Sequence, residues 1–267
     1  TDDDPSVVGS AASWSELSAS RRTVNWFKRL IAFRGVPKRK KILIVGSSFV
    51  AIAILAMIIL ASPIVAVRQI DVEGVKYANR ALIETVSKTL RGKSVLTADT
   101  AAAQKLLETD PWIESARIKT YLPSRAVIEI NERIPAAWFL GVDNQARVID
   151  QDGRVLAVLN GRPTEYMLID GIGPNLVAGA MASNSYTAAA QLAVSLPEEI
   201  RPVVKSMGVD GPNQVTMTLL TGAVVRFGEP VDLRNKLVNV VVILRRQDIN
   251  QIAGIDVSSG TPVVTSP

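Results

Sequence analysis

The hydrophobic pattern of the chain is organised around one stretch. Residues 42–67, ILIVGSSFVAIAILAMIILASPIVAV, run for 26 positions without a charged side chain. At 1.5 Å per helical residue, positions 42–61 alone cover about 30 Å, the thickness of a bilayer's hydrocarbon core. Ser62-Pro63 follows where such a helix would leave the membrane and a missing backbone donor costs little. Helices buried in soluble cores rarely run this long without a charge. The pattern predicts a transmembrane helix over 42–67.

Beyond it the periods shorten. Val67, Ile70 and Val72 before Glu73-Gly74 predict a strand and a turn with positive φ at the glycine. Asn79 is placed to cap a helix over 80–89 with Leu82, Ile83 and Val86 on one face, ended by Gly92. Thr97 or Asp99 opens a second helix to about Thr109, burying Ala103, Leu106 and Leu107 and stopping before Asp110-Pro111. Two strands follow, WIESARIKTY with imperfect alternation and AVIEINER with Ile128 and Ile130 inward, joined by a turn at Leu122-Pro123-Ser124. The order β-α-α-β-β in under 70 residues predicts a small α+β layer with both helices on one sheet face. Trp112 reads as an apolar plug at the helix–sheet seam, Trp138 as core, and Glu132-Arg133 as a solvated pair.

From Pro135 the texture becomes strand-rich. AAWFLG, ARVID and RVLAVL, with a turn at 150–153, form a hairpin series; 170–184 is a looser Gly/Pro/Asn stretch; and 187–196 is helical up to Pro197. VKSMGVD, QVTMTLL and AVVRFG make a three-stranded meander. In 232–246, Leu233, Leu237, Val240, Val241 and Leu244 form one apolar helical stripe. IAGIDVSS reads as a closing strand laid down at the sheet's edge, with Ile255 and Val257 inward, Asp256 and Ser258 outward, and 261–267 trailing off.

Charge orients the span. Lys38, Arg39, Lys40 and Lys41 abut its start, whereas its far flank offers Arg68 followed by Asp71 and Glu73. Positive charge stays cytoplasmic, so residues 1–41 are expected inside and residues 68–267 exported. A cleaved signal peptide would have a shorter apolar region and small residues before the cut, which Pro63 and its Ile/Val neighbours do not supply. The span reads as an uncleaved anchor. Residues 1–20 read as disordered, and 21–33 as an amphipathic stretch for the inner membrane surface or a solvated linker.

Of the 30 basic and 25 acidic residues, nine and four lie in 1–41, and 21 of each lie in 68–267. The high pI therefore describes the tail, and the neutral remainder has no electrostatic footprint for nucleic acid. The chain has no His and no Cys, which removes the usual general base, thiol chemistry, disulfides and nearly all zinc and haem ligand sets. For a membrane-anchored hydrolase, Ser94 beside Lys93 or Ser206 beside Lys205 are the tempting pairs, but neighbours on a strand point to opposite faces. No cofactor, metal or small-molecule substrate is expected.

In combination, RQIDVEGV, LETDPWIESARI at 107–118, YLPSR at 121–125, IEINERIPAAWF at 128–139 and VIDQDGRVL resemble the bacterial cell-division FtsQ/DivIB family. The resemblance implies an α+β chain: a cytoplasmic tail at 1–41, a transmembrane anchor at 42–67, a POTRA-like domain at 68–135, a β-domain at 136–264 with its C-terminal helix and edge strand, and a short tail at 265–267. It implies a non-enzymatic, single-pass type II scaffold at the division septum. The partners it implies are FtsB/DivIC-like and FtsL-like bitopic proteins and other divisome components, bound outside the cytoplasmic membrane to help regulate septal peptidoglycan synthesis. A POTRA-bearing assembly factor would need a long barrel for which the chain has no room. The partner site implied is the last strand and its continuation: Gly254, Ile255, Asp256, Val257, Ser258, Thr261, Val263 and Val264.

Overall fold

The computed structural model describes residues 38–61, 63–211, 213–259 and 261–267. The segments 1–20 and 21–33 lie outside the described residues, as do Ser62, Pro212 and Gly260. The chain forms two units, residues 1–59 and 60–267. The first holds most of helix α1, Lys38–Ala61, which starts on the basic cluster and continues through the uncharged run. Its described side chains, 46–58, are all exposed, Phe49, Ile52, Leu55 and Met57 among them. Among the described residues no helix is long and apolar enough to cross a membrane.

The second unit begins with a 3-10 turn, Pro63–Val65. Val65 and Val67, the last apolar residues of the uncharged run, bury themselves here against Val95 and Ala126, and Ala66 bridges Ser94. There follow β1 (Gln69–Glu73), α2 (Arg80–Leu90), α3 (Thr100–Leu107), β2 (Ile113–Tyr121) and β3 (Arg125–Glu132). The sheet order is β1-β3-β2, with β1 parallel and β2 antiparallel to β3. Both helices start on the caps read from the sequence: Asn79 Oδ1 accepts from Ala81 and Leu82 N–H, and Asp99 Oδ1 from Ala102 N–H. Gly74 sits at φ +83°, where a Cβ would meet the Ile130 carbonyl oxygen at 2.0 Å. The imperfect alternation of β2 is a β-bulge between Ile113 and Ser115, after which Ala116 and Ile118 face inward. Leu106, expected in the core, is exposed; the short α3 turns Ala103 and Leu107 inward instead.

Two acidic residues hold this domain's far end. Glu132 is not a solvated residue: its carboxylate accepts the backbone N–H groups of Lys76, Tyr77 and Ala78 at 2.7–2.8 Å. Asp110, buried, accepts from Asn79 and Trp112 N–H at 2.7 and 2.9 Å. Trp112 is half-buried rather than enclosed, its ring stacked on Tyr77 at 4.7 Å. Trp112→Ala is therefore expected to cost about 1.5–3 kcal/mol, below the 3–5 typical of a fully buried Trp; urea unfolding of the variant measures it.

Two residues, Arg133 and Ile134, connect β3 to a nine-stranded sheet. Its strands are β4 (Pro135–Gly141), β5 (Ala146–Asp150), β6 (Val155–Leu159), β7 (Met167–Gly173), β8 (Val204–Val209), β9 (Val215–Leu219), β10 (Val224–Gly228), β11 (Gly254–Asp256) and β12 (Val263–Thr265). The order is β12-β11-β10-β9-β8-β7-β4-β5-β6. Helices α4 (Asn184–Ser195) and α5 (Leu233–Arg246) cover one face, where Phe139, Ile149, Leu192, Met207, Met217, Phe227 and Val240 form the main core. Trp138 is buried as expected, in a small separate cluster with Ala146 and Val148.

The stretch 170–184, read as loose, contains half of β7, which lies in mid-sheet parallel to both β4 and β8. Its glycines hid it. Gly173 is required by close approach, since a Cβ there would lie 2.5 Å from the Phe139 ring and 2.6 Å from the Tyr186 hydroxyl. Between β7 and β8 only Ile169–Met207 and Asp170–Gly208 are in register. At the domain junction Arg133, whose side chain is 19% exposed, donates to Asp150 Oδ2 at 2.8 Å. Asp150, itself buried, also accepts from Asp152 and Arg154 N–H through Oδ1.

Candidate functional site

The C-terminal end of the sheet is built by one crossover and one return. From β10 the chain passes through α5 and comes back as β11, parallel to β10 with Val225 opposite Ile255. Lys236 fixes the start of α5, its buried ammonium donating to the carbonyls of Phe227 and Glu229 at 2.8 and 3.1 Å. The apolar stripe then seats Leu237, Val240 and Val241 on the sheet, which leaves β11 nowhere to pair but beside β10.

The strand expected at the edge is not at the edge. β11 lies between β10 and β12, and β12 pairs antiparallel with it, Ile255 opposite Val264 and Asp256 opposite Val263. The trailing segment thus contains a strand, and the open edge belongs to Val263–Thr265. The inward and outward parities hold: Ile255 and Val257 are buried, Asp256 is half-buried and Ser258 exposed. Ser258 lies in the turn after β11, where its N–H and hydroxyl both donate to Asp256 Oδ1, at 2.9 and 2.6 Å. Those two hydrogen bonds, helped by the nearby Arg226 charge, hold the Asp256 carboxyl below its ordinary pKa. Proline at 258 would therefore break a turn, not obstruct an edge.

On β12, Val264 packs against the main core while Val263 is 57% exposed, and Thr261 is exposed before it. Among the described residues no strand lies beyond β12. The opposite edge differs. Along β6, Val155 exchanges backbone hydrogen bonds with the segment after β7, donating to Ala180 O at 2.9 Å and accepting from Gly179 N–H at 2.7 Å. That segment blunts the β6 edge; β12 keeps its outer side open for pairing. The signal for β12 was present in the β-branched run Val263-Val264-Thr265 after Gly260-Thr261-Pro262, a run too short to stand out. Thr265 was missed with it.

The remaining candidates fall elsewhere. Lys38, Arg39, Lys40 and Lys41 form the start of α1. Ser206 is buried on β8 while Lys205 beside it is exposed, so the two point to opposite faces. Ser94 pairs with Ala66 through the backbone, and Lys93 N–H donates to Leu90 O. What the edge can do chemically is offer backbone donors and acceptors to an extended segment.

Two family models match consecutive parts of the chain: the POTRA domain, FtsQ-type, over residues 65–133, and cell division protein FtsQ/DivIB, C-terminal, over 136–258. Among curated relatives, the cell division protein FtsQ of Corynebacterium glutamicum is 28% identical over 211 residues, covering 77% of this chain and 90% of the relative. Those of Mycobacteroides abscessus and Mycolicibacterium smegmatis are 27% and 25% identical over 70% and 74% of this chain. The chain spans 58% and 57% of the length of those two relatives.

Proposed function

The chain belongs to the FtsQ/DivIB family of cell division proteins, and from that premise we propose that it is a bitopic scaffold of the division complex, anchored in the cytoplasmic membrane with its two folded domains outside. The unpaired outer side of β12 carries the reading. A partner strand laid along it would satisfy its own backbone groups and those of β12 at once, which is how extended segments join sheets. The partners proposed are FtsB/DivIC-like and FtsL-like bitopic proteins at the septum, and the role is to help regulate septal peptidoglycan synthesis without catalysis by this chain. Of the site residues expected from the sequence, Val264 offers its backbone groups to the partner strand, Val263 and Thr261 flank it, and Gly254, Ile255, Asp256, Val257 and Ser258 support it from behind.

The anchor rests on the uncharged run 42–61, which needs the full length of α1 to reach across about 30 Å of hydrocarbon. Lys38, Arg39, Lys40 and Lys41 keep its start inside. The test is mild detergent extraction of the tagged chain from its own membranes. Co-purification of short bitopic division proteins, together with activity of an export-dependent reporter fused at Pro267, is the expected result. A chain released by high pH without detergent, or purified without such partners, overturns the proposal.

A further inference from the structure

We infer that the first domain touches the membrane with one end, where exposed apolar side chains and cations take up anionic lipid headgroups. The inference rests on the anchored reading above and deepens it.

The domain has two ends. At the proximal end, where the chain arrives from α1, three segments meet: 64–68, the turn 91–99 and the turn 121–125. Backbone hydrogen bonds tie them together, Val95 N–H to Val65 O, Val67 N–H to Lys93 O and Arg68 N–H to Ser124 O, each at 2.8 Å. Gln69 opposite Arg125 then starts the β1–β3 ladder, and Tyr121 opposite Arg125 closes the β2–β3 ladder. At the distal end lie 73–80, 108–114 and 132–133, from which the chain leaves for the nine-stranded sheet.

Apolar side chains crown the proximal end. Ile64 is 69% exposed, Leu122 65% and Leu96 55%, and Tyr121 beside them is exposed as well. They stand outside the small core of Val65, Val67, Val95 and Ala126 directly beneath them. Three large aliphatic tips on three different segments, converging on one end, are a surface for something apolar.

Charge says which surface. The proximal segments 64–68, 91–99 and 121–125 hold Arg68, Arg91, Lys93 and Arg125 against Asp99, with Asp71 close by on β1. Asp71 is engaged by Arg125, which lowers its pKa, and Asp99 caps α3. Neither Arg91 nor Lys93 takes part in an ion pair among the described residues. The distal segments are the reverse, with Glu73, Glu108, Asp110, Glu114 and Glu132 against Lys76, Arg80 and Arg133. The domain is polarised, cationic toward its arriving chain and anionic away from it. An anionic bilayer surface fits that polarity, with cations at headgroup depth and aliphatic tips a few ångströms deeper. Covalent reach agrees, because Ile64 is three residues beyond Ala61, at most about 11 Å along an extended chain.

The absence of cysteine makes the test clean. The full chain carrying Leu122→Cys is labelled with a fluorophore and reconstituted into nanodiscs of phosphatidylcholine, with or without phosphatidylglycerol. The distal control is Thr109→Cys, an exposed position at the other end of the domain. The expected result is several-fold stronger quenching by doxyl-labelled lipid at 122 than at 109, stronger with phosphatidylglycerol present. Adding Arg91→Glu and Lys93→Glu should abolish that lipid dependence. Equal quenching at 122 and 109 in phosphatidylglycerol discs overturns the inference while the anchored reading stands, provided that the chain stays in the disc through a high-salt wash. A chain that elutes free of the disc overturns both. Quenching at 122 indifferent to the charge reversal overturns the headgroup contact.

Discussion

Val263→Pro is expected to weaken partner binding at least tenfold, about 1.4 kcal/mol, while the domain stays folded. The position is on the outermost strand, opposite Asp256, with its side chain exposed, so little of the fold depends on it. Val257 N–H donates to Arg226 O, so residues 255 and 257 turn their backbone groups to β10 and residue 256 turns its own to Val263. Proline at 263 removes the donor that holds β12 to β11, and the outward-facing N–H and C=O of Val264 lose their frame. Val263→Lys should act in the same direction, since charge on an edge is how sheets repel unwanted strands. Val263→Thr, still β-branched, should bind normally. The readout is co-purification of the bitopic partners beside the thermal midpoint of each variant. Full recovery of partner with Val263→Pro, at an unchanged midpoint, would place the contact elsewhere on the molecule.

The largest stability effect is expected at the joint between the two domains. Asp150→Ala should cost about 3–5 kcal/mol, the range for leaving one partner of a buried ion pair uncompensated. Asp150 is 2% exposed and accepts from the Arg133 guanidinium and from the N–H groups of Asp152 and Arg154. Arg133 Nε is already without a partner, so the guanidinium has little left when the carboxylate goes. Asp152, 3.5 Å from Arg133 but with its side chain 58% exposed, offers only partial compensation; Asp152→Ala should cost under about 1 kcal/mol. Urea unfolding of residues 64–267 would measure both, and similar losses for the two variants would contradict the assignment.

Most of the first domain was legible because local chemistry and tertiary structure agree there. Asn79 and Asp99 cap the helices they precede, and Ile128 and Ile130 face the core that their alternation indicates. Legibility failed where a residue's partner is remote. Glu132 looks like any exposed carboxylate until residues 76–78 are folded over it, more than fifty positions away in sequence. β7 failed for a different reason: Gly171 and Gly173 erase the alternation by which a strand is recognised, although packing against Phe139 and Tyr186 is what demands the second of them. At the candidate site, the side-chain parity of 255–258 was read correctly and the edge was misplaced by one strand. A three-residue strand gives too short a pattern to compete with the appearance of a frayed tail.

The thin register between β7 and β8 bears on how the sheet breathes. Two residue pairs join strands β6-β5-β4-β7 to strands β8 through β12, and beyond them Gly171 turns away at φ +107°. Helix α4 spans the line, lying over β4, β5, β7, β8 and β9. The backbone ladder at this line is short, and the helix bridges it. Amide protection should fall into two blocks that open separately, each at a lower free energy than global unfolding. The block that carries β12 includes α5, so a bound strand would slow exchange across that whole half and leave the other half nearly unchanged.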